Sequence, residues 1–93
     1  MLFRSDVSIT EIVKYISSKD FGSIRKWVAS NDVDSGTLFR KLYDAMYDTM
    51  KPNSIPQAVL ILADYQYKAA FVADQEINTV ACLTELMANC DFV

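Results

Sequence analysis

Ser54-Ile55-Pro56-Gln57-Ala58-Val59-Leu60-Ile61-Leu62-Ala63-Asp64-Tyr65-Gln66-Tyr67-Lys68-Ala69-Ala70-Phe71-Val72-Ala73-Asp74 is the stretch that decides how this chain folds. Ser54 and Gln57 have the spacing of a capping box, in which each side chain can satisfy a backbone N–H of the other. Pro56 falls in the first turn, where its missing N–H would have no intrahelical partner. Together they predict a helix opening at Ser54. Ile55, Val59, Leu62, Tyr65, Ala69 and Val72 then recur at helical spacing and trace a core stripe. Ala58, Leu60, Ile61, Ala63 and Phe71 lie off that stripe, so the helix is apolar more than halfway round. A helix of this kind is buried on more than one side. Either it is the central helix of a bundle, or its second face meets another subunit.

Working outward, Lys51-Pro52-Asn53-Ser54 must break the preceding helix, since Pro52 cannot donate a hydrogen bond and disfavours helical geometry at the residue before it. That preceding helix has Asp34 as its predicted cap and a staple between Val33 and Leu38, and it carries Leu38, Phe39, Leu42, Tyr43, Met46 and Met50 inward. Earlier still, Asp20 caps a short helix through Phe21, Ile24, Trp27 and Val28. Ser8-Ile9-Thr10-Glu11 is a second capping-box pattern, with Ile9, Ile12, Val13 and Ile16 on one face. On the other side of the decisive stretch, Asp74 caps a last helix. Ile77, Val80, Ala81, Thr84, Met87 and Ala88 fall on one side of it, with Leu83, Leu86 and Cys90 beside them. The expectation is an all-α, compact five-helix bundle forming a single domain over residues 1–93, with short connections and mostly antiparallel neighbours.

Composition agrees with that reading. A chain of 93 residues has room for one core. Hydrophobic residues make up 52%, and with two Gly and two Pro there is too little turn chemistry for a β-sandwich. The net charge is −3 and unevenly spread: residues 1–51 hold eight Lys or Arg against seven Asp or Glu, whereas residues 52–93 hold one against five. An acidic balance works against a nucleic-acid grip, which rests on cations releasing counterions. The longest apolar run, Ala58–Ala63, is far short of the roughly 20 residues that cross a bilayer, and the N-terminus lacks a signal pattern. A soluble, cytoplasmic protein is expected, with no membrane partner. Cys82 and Cys90 sit eight apart in an apolar helical pattern and read as reduced core thiols.

The segment from Ile61 to Leu83 resembles the end of small subunits of replication factor C-type clamp loaders and their phage counterparts. There an acidic-aromatic helix closes with a short Ala/Gly turn, and a helix of the form (Asn/Asp)-x-(Glu/Arg)-Ile follows. Lys19-Asp20-Phe21-Gly22-Ser23-Ile24-Arg25-Lys26 resembles an earlier short-helix junction of that family, and Val33-Asp34-Ser35-Gly36-Thr37-Leu38-Phe39 the next one. The likeness runs from about Asp6 to Phe92, in the order of the family's helical collar domain, and T4-like phage versions look closer than cellular ones. Two positions depart from the cellular pattern. Lys68 replaces a common Arg, which weakens a bidentate ion pair there. Val72 replaces a common Gly, which disfavours a left-handed turn between the last two helices.

What the resemblance implies is an oligomerisation domain that holds loader subunits together during DNA replication. Its partners would be other loader subunits, as homo- or hetero-oligomer, in the bacterial host cytoplasm if phage-encoded. No phosphate loop of the form GxxxxGK[ST], no acidic metal-binding strand and no arginine-finger segment is present in the sequence, so this chain is expected to be no enzyme and to hold no cofactor. ATP and Mg, and contacts to the sliding clamp and DNA, would belong to an ATPase module preceding the collar in relatives. Met1 would then mark a trimmed chain or a split gene.

The residues themselves suggest little chemistry. The sequence has no His; Asp20, Asp34 and Asp74 read as caps, and Asp64 with Lys68 as an i,i+4 pair. Arg25, Lys26, Arg40 and Lys41 read as the outer faces of helices whose aromatics, Trp27, Phe39 and Tyr43, point inward. Tyr65 and Tyr67 lie about 200° apart around a helix, so one of them must face outward. The expected subunit-facing residues are Leu60, Ile61, Tyr65, Tyr67, Lys68, Phe71, Glu76 and Asn78; the expected helix caps are Ser8, Asp20, Asp34, Ser54 and Asp74. The rival reading is a free-standing helical adaptor that binds one partner through the same face, unrelated to replication. A small DNA-binding bundle ranks last, for want of a basic recognition helix.

Overall fold

Aspartates 20, 34 and 74 start three of the helices, as their positions in the sequence predict. The computed structural model describes residues 9–31 and 34–93. Among them five α-helices follow one another: α1 (Thr10–Ser17), α2 (Phe21–Ser30), α3 (Ser35–Thr49), α4 (Ile55–Lys68) and α5 (Gln75–Asn89). Asp20 accepts from the Ser23 amide at 3.2 Å and from the Ser23 hydroxyl at 2.8 Å. The hydroxyl first, then the amide, hold the Asp20 carboxyl below its ordinary value. Asp34 accepts from the Thr37 amide at 3.0 Å, and one oxygen of Asp74 accepts from the amides of Glu76 and Ile77 at 3.0 and 3.2 Å. Each cap satisfies donors that the first turn of a helix leaves without an intrahelical partner. At α1 the flanking residue is Ile9, which has no side-chain cap. The predicted cap Ser8 and the Val33 half of the staple lie outside the described residues.

Ser54 does not cap α4 by its side chain. It closes a 3₁₀ turn, Pro52–Ser54, with helical backbone angles rather than the extended geometry that aims a cap at the first turn. One of the two amides a cap would reach is also missing, because Pro56 occupies the second helical position. The Ser54 hydroxyl instead accepts from the Asp91 amide at 2.9 Å, across 37 residues of sequence. Around it the end of the chain lies against the end of α3. The Lys51 amide donates to the Asp91 carbonyl and the Val93 amide to the Thr49 carbonyl, both at 3.0 Å, flanking an antiparallel bridge between Met50 and Phe92.

Helix α5 is the hub: it packs on α4, α2 and α1, while α3 packs on α4. Ile12 and Ile16 of α1, Ile24 and Trp27 of α2, and Leu38, Phe39, Leu42 and Met46 of α3 enter the core, all on the predicted faces. Phe21, predicted inward, is exposed. The last two helices sit differently from their predicted stripes. In α4 the buried positions are Ala58, Ile61 and Leu62, while Ile55, Val59, Tyr65 and Ala69 are only half-buried. In α5 the inward residues are Thr79, Cys82, Leu83 and Leu86, with Asn78 beside them and Cys90 just beyond the helix. Ile77, Val80, Ala81, Thr84 and Ala88 occupy the opposite, exposed or half-exposed side, with Met87 at its edge. Periodicity cannot select the inward face of a helix that is apolar all round; the packing of its neighbours does.

Lys19, in the turn from α1 to α2, is the one described non-glycine residue with positive φ, at 60°. The connection from α4 to α5 therefore needs no left-handed residue at Val72. It closes through the Phe71 and Val72 amides donating to the Lys68 carbonyl at 2.9 and 3.1 Å. Cys82 and Cys90 are buried free thiols, and burial pushes Cys82 up to about 12. Among the described residues, no helix is long and apolar enough to cross a membrane.

Candidate interaction surface

Because Ala58, Ile61 and Leu62 turn one side of α4 into the core, the residues half a turn away must face out. Leu60, Tyr67 and Phe71 do so, with 67%, 70% and 72% of their surfaces exposed. Leu60 and Tyr67 are two helical turns apart, and Phe71 continues their line beyond the helix end. The rings of Tyr67 and Phe71 pack on each other, centroids 5.2 Å apart and planes tilted by 58°. These three side chains define an outer ridge of α4 in which Tyr67 and Phe71 touch, while Ala63 and Asp64 lie between Leu60 and Tyr67. Exposed hydrophobic side chains are ordinary one by one; large ones gathered on one side of a helix make that side a candidate for binding.

Along one edge of the ridge run charges of both signs. Lys68 pairs with Asp64 at 3.0 Å, and the Lys68 ammonium also sits 4.7 Å from the centre of the Tyr65 ring. Tyr65 is the tyrosine that turns inward. Hydrogen bonding to the Glu85 carboxylate, helped by burial, pushes its phenol up to about 12, and it is half-buried. One tyrosine in and one out is the arrangement their spacing required.

Of the remaining residues expected at a subunit contact, Ile61 and Asn78 are buried within the chain. Ile61 belongs to the core. Asn78 donates to the Tyr65 carbonyl at 3.3 Å and so ties the start of α5 to the last turn of α4. The Tyr65 carbonyl also accepts from the Ala69 amide at 2.9 Å, so Asn78 uses its second lone pair and adds a side-chain tie between the two helices. Glu76 is exposed, but it lies on a second surface, away from the ridge.

That second surface is a shallow groove between α2 and α5, floored by Val80, Ala81 and Thr84 and walled by Phe21 and Ile77, with Arg25 and Glu76 at its rim. Ile77 is 68% exposed. Helical spacing alone places Phe21 and Ile77 with the core residues of α2 and α5, so the groove has no signature in the periodicity of either helix. The available signal was the excess of apolar residues around α5, the same excess that marked α4.

Five carboxylates have structural employment: Asp20, Asp34 and Asp74 cap helices, Asp44 pairs with Arg40 at 3.2 Å, and Asp64 pairs with Lys68. Trp27 and Phe39 are core residues and Tyr43 is half-buried, while Arg25, Lys26 and Arg40 face outward. Among the described residues, no three His, Cys, Asp or Glu side chains are placed to hold a metal ion. The chain matches no model of a known protein family and no curated protein.

Proposed function

We propose that this chain is an assembly module of the clamp-loader collar type, which holds subunits of a sliding-clamp loader together during DNA replication. The observation that carries the reading is the ridge of Leu60, Tyr67 and Phe71, opposite the face by which α4 enters the core. Burying a side chain of that size is worth about 1.5–3 kcal/mol relative to leaving it in water. Tyr67 adds a rigid aromatic body with a polar tip, favoured where a contact meets solvent. The order of junctions from Lys19 to Leu83, which resembles the collar of replication factor C-type small subunits, supplies the identity of the assembly.

The role is structural. Tethering subunits raises the effective concentration of their ATPase modules for one another, so weak contacts between those modules become intramolecular. ATP, Mg, the clamp and DNA are engaged by those modules. The compartment is the cytoplasm, where replication takes place.

The test is light scattering of the chain with the large subunit of a T4-like phage clamp loader, for wild type and for Leu60→Glu combined with Tyr67→Glu. The wild-type chain should co-migrate with the loader subunit and the doubly substituted chain should not. Equal assembly by both would refute the reading, as would a complete loader assembled from small subunits that lack this segment.

A further inference from the structure

A cleft distinct from the ridge, and sharing only Glu76 with the groove, opens where the end of α2 meets the starts of α3 and α5. Its volume is about 820 Å³, within the roughly 300–1,000 Å³ of small-ligand sites. Trp27 and Leu38 supply apolar wall, and Asn31, Asp34, Glu76 and Thr79 supply polar groups. Thr79 is 6% exposed, yet among the described residues its hydroxyl makes no hydrogen bond. Thr49 and Thr84 also sit in helices, and each donates to the carbonyl four residues back, at 3.0 and 2.7 Å. Thr79 does not. Among the described residues no fully buried side-chain oxygen or nitrogen lacks a partner, so the Thr79 hydroxyl is not sealed in; it reaches the cleft that it lines.

The cleft is rich in acceptors and poor in donors. Asp34 and Glu76 bring two carboxylates, and no Lys or Arg lines it. Among the described residues neither carboxylate forms an ion pair; the pairs are Arg40–Asp44 and Lys68–Asp64. The Asn31 amide nitrogen donates to the Trp27 carbonyl at 2.8 Å, which leaves the Asn31 side-chain oxygen as an acceptor. Ser35 and Gln75 engage each other and the Ala69 carbonyl. The positive ends of α3 and α5 do not invite an anion, because Asp34 and Asp74 already accept from their first-turn amides. We infer that this cleft binds a guanidinium group on an apolar stem, the chemistry of an arginine side chain. The stem lies against Trp27 and Leu38, and the planar fork of N–H donors answers the carboxylates, the Asn31 oxygen and the Thr79 hydroxyl. An ammonium fits less well, being more strongly hydrated and unable to stack on an indole as a plane. The site stands apart from the assembly reading, and either can fail without the other.

Trp27 is the only tryptophan of the chain, so its emission reports on the cleft. The full chain is titrated at low salt with butylguanidine, with butylamine, with the uncharged isostere butylurea and with a capped alanine–arginine–alanine tripeptide. Butylguanidine should change the emission saturably, butylamine should bind more weakly, and butylurea should have no effect. Thr79→Val keeps the shape of the side chain and removes the hydroxyl, and should weaken butylguanidine binding about tenfold. Glu76→Gln, at an exposed position where the fold is not at risk, should weaken it as well and flatten its dependence on salt. Circular dichroism melts would verify that both variants fold. Tighter binding of the tripeptide than of butylguanidine would identify the natural source as an arginine within a polypeptide, and the reverse order a free guanidine; both orders support the site. Equal responses to butylguanidine and butylurea would overturn the inference. So would an emission that neither butylguanidine nor the tripeptide changes, or binding that Glu76→Gln and Thr79→Val leave at wild-type strength.

Discussion

Helices α3 and α5 are both 15 residues long, both start at an aspartate cap, and both contribute at least four side chains to the core. Their outer faces differ. Opposite Leu38, Leu42 and Met46, α3 presents Arg40, Asp44 and Asp48 to water. Opposite Cys82, Leu83 and Leu86, α5 presents Ile77, Val80 and Ala81. The inward face of α5, moreover, includes Asn78 and Thr79, so its two sides are nearly equal in polarity. A one-sided helix states its orientation in its own sequence; for a two-sided helix the neighbours decide, and an apolar face is left over. In this protein the left-over faces are those of α4 and α5, and the proposed assembly function places its contact on them.

The largest effect that would break this comparison is a reversal of which α5 residues hold the fold. Leu83→Ala removes a fully buried side chain from the hub helix and should cost about 2–5 kcal/mol, through lost transfer energy and the cavity left behind. Ile77→Ala, on the face that periodicity alone would have turned inward, should stay within about 0.5 kcal/mol. Urea denaturation of the two variants measures both, and comparable losses would mean that the exposed face is packed after all.

That pair of variants also separates what the sequence could reveal from what it could not. The inward faces of α1 and α3, and most of α2, were legible because charged residues alternate with apolar ones at helical spacing. The caps at Asp20, Asp34 and Asp74 were legible because capping is local. That some large apolar residues of α4 stay exposed followed from counting, since α4 has more of them than one face can hold; Leu60, Tyr67 and Phe71 are the exposed ones, whereas Ile61, expected beside them, is buried. Three things were not legible. The rotation of α5 depends on where α1, α2 and α4 lie. The work of Asn78 depends on the position of the Tyr65 carbonyl, 13 residues away in sequence. Ser54 carries the signature of a cap, yet its hydroxyl serves an amide from the far end of the chain, a contact that no local pattern encodes.

Alkaline pH probes the buried side of α5. Burial raises the Cys82 thiol from 9.0 to about 12, so the native chain keeps its proton where the unfolded chain has lost it. The contribution is full below pH 9.0 and is lost as pH rises toward about 12. The slope of stability against pH should approach about 1.4 kcal/mol per unit in that window. Tyr65, raised from 10.0 to about 12 chiefly by hydrogen bonding to Glu85, acts in the same direction over the upper part of the window. Urea titrations at several pH values, for wild type and Cys82→Ala, would show a shallower slope in the variant. Identical slopes would mean that the thiol reaches water.

Ser54→Ala is a smaller test, aimed at the junction between the one-sided and two-sided helices. It deletes the acceptor of the Asp91 amide and leaves a partly buried N–H without a partner. The expected loss is about 1–2 kcal/mol, with faster hydrogen exchange at the Asp91 amide. A loss confined to the helicity of α4, with Asp91 exchange unchanged, would restore the capping role that the sequence pattern suggested.

The smallest effect concerns how the far end of α5 is held. Lys19 adopts φ of 60°, a conformation that disfavours any side chain with a Cβ, and its ammonium donates to the Met87 carbonyl at 2.6 Å. The carbonyls at a helix C-terminus lack intrahelical partners and carry the negative end of the dipole, so a cation there is worth about 0.3–1 kcal/mol at an exposed site. Left-handed backbone costs a non-glycine residue about 1–2 kcal/mol. Lys19→Ala keeps the backbone cost and loses the contact, so it should destabilise by a few tenths to about 1 kcal/mol. Lys19→Gly loses the same contact but removes the backbone cost, so it should equal or slightly exceed wild type. The difference between the two variants measures the strain, and that between alanine and wild type measures the hold on α5. If glycine proved as destabilising as alanine, the strain would be absent and the turn would owe its shape to something other than the need to place an ammonium at the end of the central helix.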